Sequence, residues 1–178
     1  LSDALLQLRR GGLAVALIVF IFFKKKEDIR PVLMNRNLVF IYLSAIPVLW
    51  HLWLYSYWAV DIIKDTGSTF MAAALTASFN AIAGLIGFPL GGWLSDQAIK
   101  SGRSRKWVLA VLTGVEALTI VGFAVYVMLG HKDPVMMAGI LFVSGLFFFA
   151  LQSVSVALTA ELAPAGHRGA AFGLWNLV

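Results

Sequence analysis

The sequence predicts an all-α fold, a polytopic transmembrane helix bundle, on three observations. Of its 178 residues, 60% are hydrophobic and 13% charged, with a mean hydropathy of +0.86, whereas soluble domains are about 45–50% apolar. Its apolar stretches are long enough to cross about 30 Å of hydrocarbon, and short polar connections containing Gly or Pro separate them. The basic residues gather in alternate connections, the pattern by which loops set membrane orientation.

The same composition excludes several functions. A net charge of +5 raises nucleic acid as a partner, but the Lys and Arg residues lie in short clusters between apolar runs and act as topology signals, so no nucleic acid is expected. Cysteine is absent, which removes disulfides, thiolate metal sites and thiol catalysis and leaves the redox compartment open. Three His remain as nitrogen ligands, and H-E-x-x-H, G-x-S-x-G and G-x-x-x-x-G-K-[ST] are all missing. Neither an enzyme, a cofactor nor a metal site is expected.

Taken in order, residues 1–23 contain an apolar run, 11–23, that is short for a span of about 20 residues and reads as the end of a transmembrane helix. It runs into Lys24, Lys25 and Lys26 with no small-residue cleavage site, which argues against a signal peptide. Residues 24–37, KKKEDIRPVLMNRN, form a charged connection expected to lie in water. The chain starts without Met and stops inside an apolar run, and is expected to be a fragment.

A helix over 38–63 carries Pro47, where a kink is expected because Pro removes an intrahelical hydrogen bond. Ser44, His51, Tyr55 and Trp58 fall close to one face of it. Trp58, near the helix end, reads as an interfacial anchor. The next helix, 70–95, aligns Thr76, Asn80, Gly84, Gly87 and Gly91 on a small face, with G-x-x-x-G spacing for close packing and a bend expected at Pro89. Residues 107–129 form a span holding Glu116, the acidic residue set deep in an apolar segment. After a tight turn at 130–134, a helix over 135–162 puts Ser144, Phe148, Gln152, Ser155 and Thr159 on one face. The segment 161–176 breaks at Pro164 and Gly166 and restarts as a helix.

Charge placement singles out the connection 91–109. Asp96 sits at a helix C-terminus and Arg103, Arg105 and Lys106 at the next N-terminus, each against its own helix dipole. Pairing with one another or with a partner element explains this, and makes Gly92, Asp96, Gly102, Arg103, Arg105 and Lys106 a candidate gating latch. Ten Lys and Arg residues, at 24–26, 30, 36, 100, 103, 105, 106 and 168, fall on one side and two, Lys64 and Lys132, on the other. The first side is therefore expected in the cytoplasm, with loops 24–37, 96–106 and 163–169 there. Arg9 and Arg10 then fall outside, against the rule.

The run G-x-L-S-D at 92–96 followed by G-R-x-R-K at 102–106 resembles the loop signature of the major facilitator superfamily, G-x-L-A-D-R-x-G-R-R, found after the second and eighth helices. It departs from that signature in the five residues 97–101 between Asp and Gly, where two are usual, and in Gln97 where a basic residue is usual. The longer loop is similar to that in the C-terminal half of the organic anion:cation symporters. E-L-x-P-x-x-x-R-G at 161–169 resembles the superfamily's connection between helices ten and eleven.

The resemblance implies a partial major facilitator fold: 1–23 the end of helix six, 24–37 the cytoplasmic central linker, and 38–178 a partial C-terminal bundle of helices seven to ten with the start of eleven. It implies secondary active transport of a small organic anion such as a sugar acid, coupled to a proton or sodium, by alternating access in the plasma (inner) membrane. Its partners are then the solute, the coupling ion, the bilayer and an N-terminal half of the same transporter.

The candidate solute-binding residues are His51, Tyr55, Asn80, Gln152 and Asn176, because polar groups within a bilayer mostly face a bundle interior or an aqueous cavity. His51, about 14 residues into its helix, sits near mid-bilayer at ~1.5 Å per residue. It reads either as a hydrogen-bonded packing residue or as a solute or proton site, since a nearby anion favours imidazolium. Asn80 and Gln152 either read the solute or tie helices together. For Glu116, on the presumed ninth helix, which the resemblance implies is peripheral, a protonated packing residue is favoured over a coupling site. The rival readings are an N-terminal half of the same superfamily, a non-transporting scaffold, and an intramembrane enzyme, which would require His51 and Glu116 to meet.

Overall fold

The computed structural model describes residues 20, 24 and 26–177, so the helix end expected over 1–23 lies, Phe20 apart, outside the described residues. The described chain runs α1 (Lys26–Leu33), α2 (Arg36–Trp53), a π-helical turn (Leu54–Trp58), α3 (Ala59–Asp65), α4 (Phe70–Ile82), α5 (Gly84–Lys100), α6 (Arg105–Met128), α7 (Pro134–Leu162) and α8 (Arg168–Leu177). Among the described residues four stretches are long and apolar enough to cross a membrane: Arg36–Asp65, Phe70–Lys100, Arg105–Met128 and Pro134–Leu162. The fold is the expected all-α membrane bundle.

Local chemistry sets where each span begins. Asn35, Thr69, Ser104 and Asp133 each accept a backbone N–H from the first turn of the adjoining helix, satisfying donors that have no partner within the helix. Pro134 opens α7 at a position where its missing N–H costs nothing. At the end of α5, Gly102 adopts φ +70°. Its N–H bonds Ile99 O at 2.9 Å and that of Arg103 bonds Ala98 O at 2.8 Å, a Schellman closure that a side chain at Gly102 would strain.

α7 is the element on which the other three spans pack. Its small residues permit this. An added Cβ at Gly87 would lie 2.8 Å from Phe149 Cβ, one at Gly91 would collide with the Ala150 backbone, and one at Gly145 with Asn80 O. The small face of the second span is thus a backbone-to-backbone seam with α7, as G-x-x-x-G spacing implies. Gly92 takes no part, since an added Cβ there would meet nothing within 4 Å.

Three local features differ from the sequence reading. The first span runs helically through Pro47 and is irregular instead at the π turn Leu54–Trp58. Widening one turn shifts the register of the residues C-terminal to it. Tyr55 remains buried with His51, whereas Trp58 leaves that face and is 60% exposed. In the second span the interruption falls at Ala83, before Pro89. Pro89 lies inside α5, which stays helical through it, and the interruption adjoins Gly84, a residue with little helix preference. The 24–37 connection is also more structured than a solvated linker. Ile29 and Val32 of α1 are buried with Leu38, Tyr42, Ala171 and Leu174, and Asn35 Nδ2 donates to Leu162 O at 2.9 Å.

The connections alternate between two ends of the bundle. Ser101 is exposed at the end rich in Lys and Arg, and Ser68 lies at the other. Cysteines placed singly at these positions in this Cys-free chain are expected to react with a membrane-impermeant maleimide from opposite sides. Labelling of both from one side would mean that Phe70–Lys100 does not cross.

Candidate functional site: a buried polar cluster joining four spans

His51 lies in the last turn of α2 with 1% of its surface exposed, and Glu116 lies midway along α6 with 3% exposed. The two side chains meet, His51 Nδ1 contacting Glu116 Oε1 directly. A buried charge is tolerated only when paired and hydrogen-bonded, and the other spans supply those bonds. Ser144 of α7 donates to Glu116 Oε1 at 3.3 Å and stands 3.5 Å from His51 Nδ1. Thr119, one turn beyond Glu116, lies 3.4 Å from its Oε2 and 3.1 Å from Ser144 Oγ.

The remaining ring nitrogen faces α4. His51 Nε2 is 3.2 Å from Asn80 Nδ2 and 3.4 Å from Asn80 Oδ1, and Asn80 Nδ2 also donates to Leu141 O at 3.1 Å. Phe148 stacks on one face of the imidazole, with centroids 4.0 Å apart and planes 6° from parallel, while Tyr55 meets the ring edge-on at 4.5 Å. The Tyr55 hydroxyl is buried and has no hydrogen-bond partner among the described residues. Both nitrogens of His51 and one ring face are therefore occupied by protein, and a solute would have to displace one of these neighbours to reach it.

Of the five candidate solute residues, the structure brings together His51, Tyr55 and Asn80. Gln152 is half-buried on α7 and makes no hydrogen bond among the described residues. Asn176 is exposed on α8, where its Nδ2 donates to Phe172 O at 2.9 Å. Sequence reasoning missed Thr119 and assigned no site role to Ser144. Thr119 carried one legible signal, its position three residues after Glu116 on the same helical face.

His51 and Glu116 do meet, as an intramembrane enzyme would require, but the arrangement is not that of a nucleophile triad. A triad puts the nucleophile and the acid on opposite ring nitrogens. Here Ser144 and Glu116 share Nδ1, and Asn80 occupies the Nε2 side.

At the basic end, Arg105 sits between two carboxylates. Its Nη1 contacts Glu161 Oε1 at the end of α7, and its Nη2 lies 3.7 Å from Asp96 Oδ1. Lys106 Nζ donates to Asn37 Oδ1 at 2.9 Å, joining α6 to the start of α2. Arg103 is exposed with no ion pair among the described residues. Asp96 is 67% and Glu161 47% exposed, so solvent screens both pairs and each is worth about 0–1 kcal/mol. A contact of that size is easily broken and remade, which suits a latch better than a permanent brace.

Comparison with known proteins agrees with this architecture. The chain is 27% identical over 154 residues to a probable galactarate/D-glucarate transporter of Pseudomonas putida, an alignment covering 85% of this chain and 33% of that protein. The chain thus spans about a third of the length of that relative. No solved structure matches it. The family model for the Major Facilitator Superfamily matches residues 8–178. With nearly its whole length matched and four apolar helices folded as an all-α bundle, the chain is an integral membrane protein that belongs to the major facilitator superfamily.

Proposed function

We propose that this chain is part of a secondary transporter that moves a small organic anion, such as a sugar acid, by alternating access coupled to a proton or sodium ion. The observation that carries this reading is the paired, ionisable His51–Glu116 cluster sealed inside apolar spans, where such groups are costly and mark solute or ion pathways. The relative's name, a probable galactarate/D-glucarate transporter, supports the solute class.

In this reading 1–23 ends helix six, 24–37 is the central linker on the cytoplasmic side of the plasma membrane, and 38–178 supplies helices seven to ten and the start of eleven. An N-terminal half completes the solute pathway near the midplane. His51, Tyr55 and Asn80 form the coupling centre. Gln152 and Asn176, outside that centre, offer amides to the solute. The glycine seam along α5 and α7 lets the spans move as one body, and Arg105 holds the basic end closed in one state and releases it in the other.

The test is uptake of labelled galactarate or glucarate by proteoliposomes containing the whole transporter. An inside-alkaline pH gradient or an inward sodium gradient should drive accumulation, and excess unlabelled sugar acid should suppress it more than neutral sugar does. Uptake indifferent to both gradients and blocked equally by neutral sugar would sink the reading.

The latch gives a separate prediction. Asp96→Asn removes one of the two carboxylates on Arg105 without touching the buried cluster. It is expected to lower the maximal transport rate by up to about fivefold while changing half-saturation by less than about twofold, because a contact worth at most about 1 kcal/mol on one conformational state is a factor of about five. A collapse in affinity with the rate preserved would place Asp96 in the solute site instead.

A further inference from the structure

We infer that His51 and Glu116 together form a site for one exchangeable proton, and that Asn80 is the positioning residue that accommodates both its loaded and its empty state. This rests on the transport reading only for its physiological use, since the site itself is defined by geometry.

The contact between His51 Nδ1 and Glu116 Oε1 requires a proton between them, because two bare lone pairs repel. That first proton is held in every state. The second place is Nε2. There Asn80 presents Nδ2 at 3.2 Å and Oδ1 at 3.4 Å, so the same amide can donate to a bare Nε2 or accept from a protonated one. The bond from Asn80 Nδ2 to Leu141 O keeps the amide beside the ring in both cases.

The proton balance is simple. With one proton the pair is a neutral imidazole and a carboxylate, net charge −1. With two it is imidazolium and carboxylate, or imidazole and carboxylic acid, net charge zero. Uptake of the second proton removes the uncompensated charge from an apolar interior, where such a charge is expensive. The loaded form therefore suits the closed bundle seen here, in which His51 is 1% exposed. The empty form needs the spans to part so that water can solvate the anion. Proton release is thus tied to opening, which is the property a coupling site needs.

The groups facing the pair leave the proton as its occupant. Tyr55 from the first span is the other titratable side chain against it, Asn80 comes from the second, Thr119 from the third, and Ser144 and Phe148 from the fourth. No Lys or Arg among the described residues contacts it. Glu116 Oε1 is engaged by the imidazole and by the Ser144 hydroxyl, and the Asn80 amide meets the other ring nitrogen, so every contact of the ring nitrogens is one that a proton can occupy.

The experiment is a pH titration of the whole, solute-free transporter, monitoring the Glu116 carboxyl bands by infrared difference spectroscopy and the His51 ring nitrogens by ¹⁵N NMR. Wild type should show one protonation event in which the His51 and Glu116 signals change together. Glu116→Gln and His51→Gln should each abolish the coupled event. Asn80→Asp, whose carboxylate accepts from Nε2–H and cannot donate to bare Nε2, should move its midpoint upward by about one pH unit or more.

Glu116→Gln keeps nearly the shape of the native side chain, so the test stands on that variant if His51→Gln fails to fold. Independent titration of the two residues, or a midpoint unmoved by Asn80→Asp, would overturn the inference. A coupled event in a protein that fails to accumulate sugar acids would uphold the proton site and refute the transport reading, so the two can fail separately.

Discussion

Glu116→Ala is expected to be the most damaging single change in the buried cluster, costing about 3 kcal/mol of stability, the low end of what breaking a buried ion pair costs. The low end applies because imidazole, unlike Arg or Lys, can shed its charge near neutral pH. What cannot be shed is the set of hydrogen bonds. Without the carboxylate, His51 Nδ1 keeps only the Ser144 contact at 3.5 Å, and Ser144 and Thr119 lose an acceptor each. Thermal unfolding of the purified transporter should show the drop. The double variant His51→Leu/Glu116→Leu should recover most of it, because removing both partners leaves no unpaired polar group of the pair. Recovery of stability without recovery of proton-driven accumulation would separate the pair's role in coupling from its role in packing. A loss in the double variant equal to the sum of the two single losses would mean that the two residues do not interact.

Adjacent glycines are expected to respond in opposite directions. Gly91→Ala places a methyl on the Ala150 backbone, where no rotamer change can relieve the clash, and should destabilise by about 1–3 kcal/mol through overpacking. Gly92→Ala adds the same methyl to open space and should be neutral or stabilising by about 0.5–1 kcal/mol, since alanine is the better helix former. Gly145→Ala, which directs a methyl at Asn80 O, should behave like Gly91→Ala and also disturb the amide facing His51. Melting temperatures of the three variants decide it. A Gly92 variant as unstable as the Gly91 variant would mean that the seam lies on the other side of α5.

The helical stripe put Gly91 on the small face and the loop signature put Gly92 in the latch, but neither said which side of α5 would meet α7. Only the rotation of α5 about its axis distinguishes them, because one of two neighbouring residues must point about 100° away from the other. The same limit explains the first span. Heptad-like spacing placed His51 and Tyr55 on a shared face correctly, but it carried Trp58 along, since a regular helical count cannot anticipate the π turn Leu54–Trp58 that changes the register between them.

What the sequence determined by itself was everything carried by local composition and period. Runs of apolar residues of membrane length set the four spans, capping residues and glycines set their ends, and the two loop signatures pointed to the superfamily. Tertiary structure decided which polar residues share a site. His51 and Glu116 are 65 residues apart, Asn80 and Ser144 come from two further spans, and Gln152, on the same sequence-defined stripe as Ser144, stays outside the cluster. A helical period tells which residues share a face of one helix, but the rotation and depth at which that face meets the next are fixed by backbone-to-backbone packing at Gly87, Gly91 and Gly145, and no local pattern encodes them.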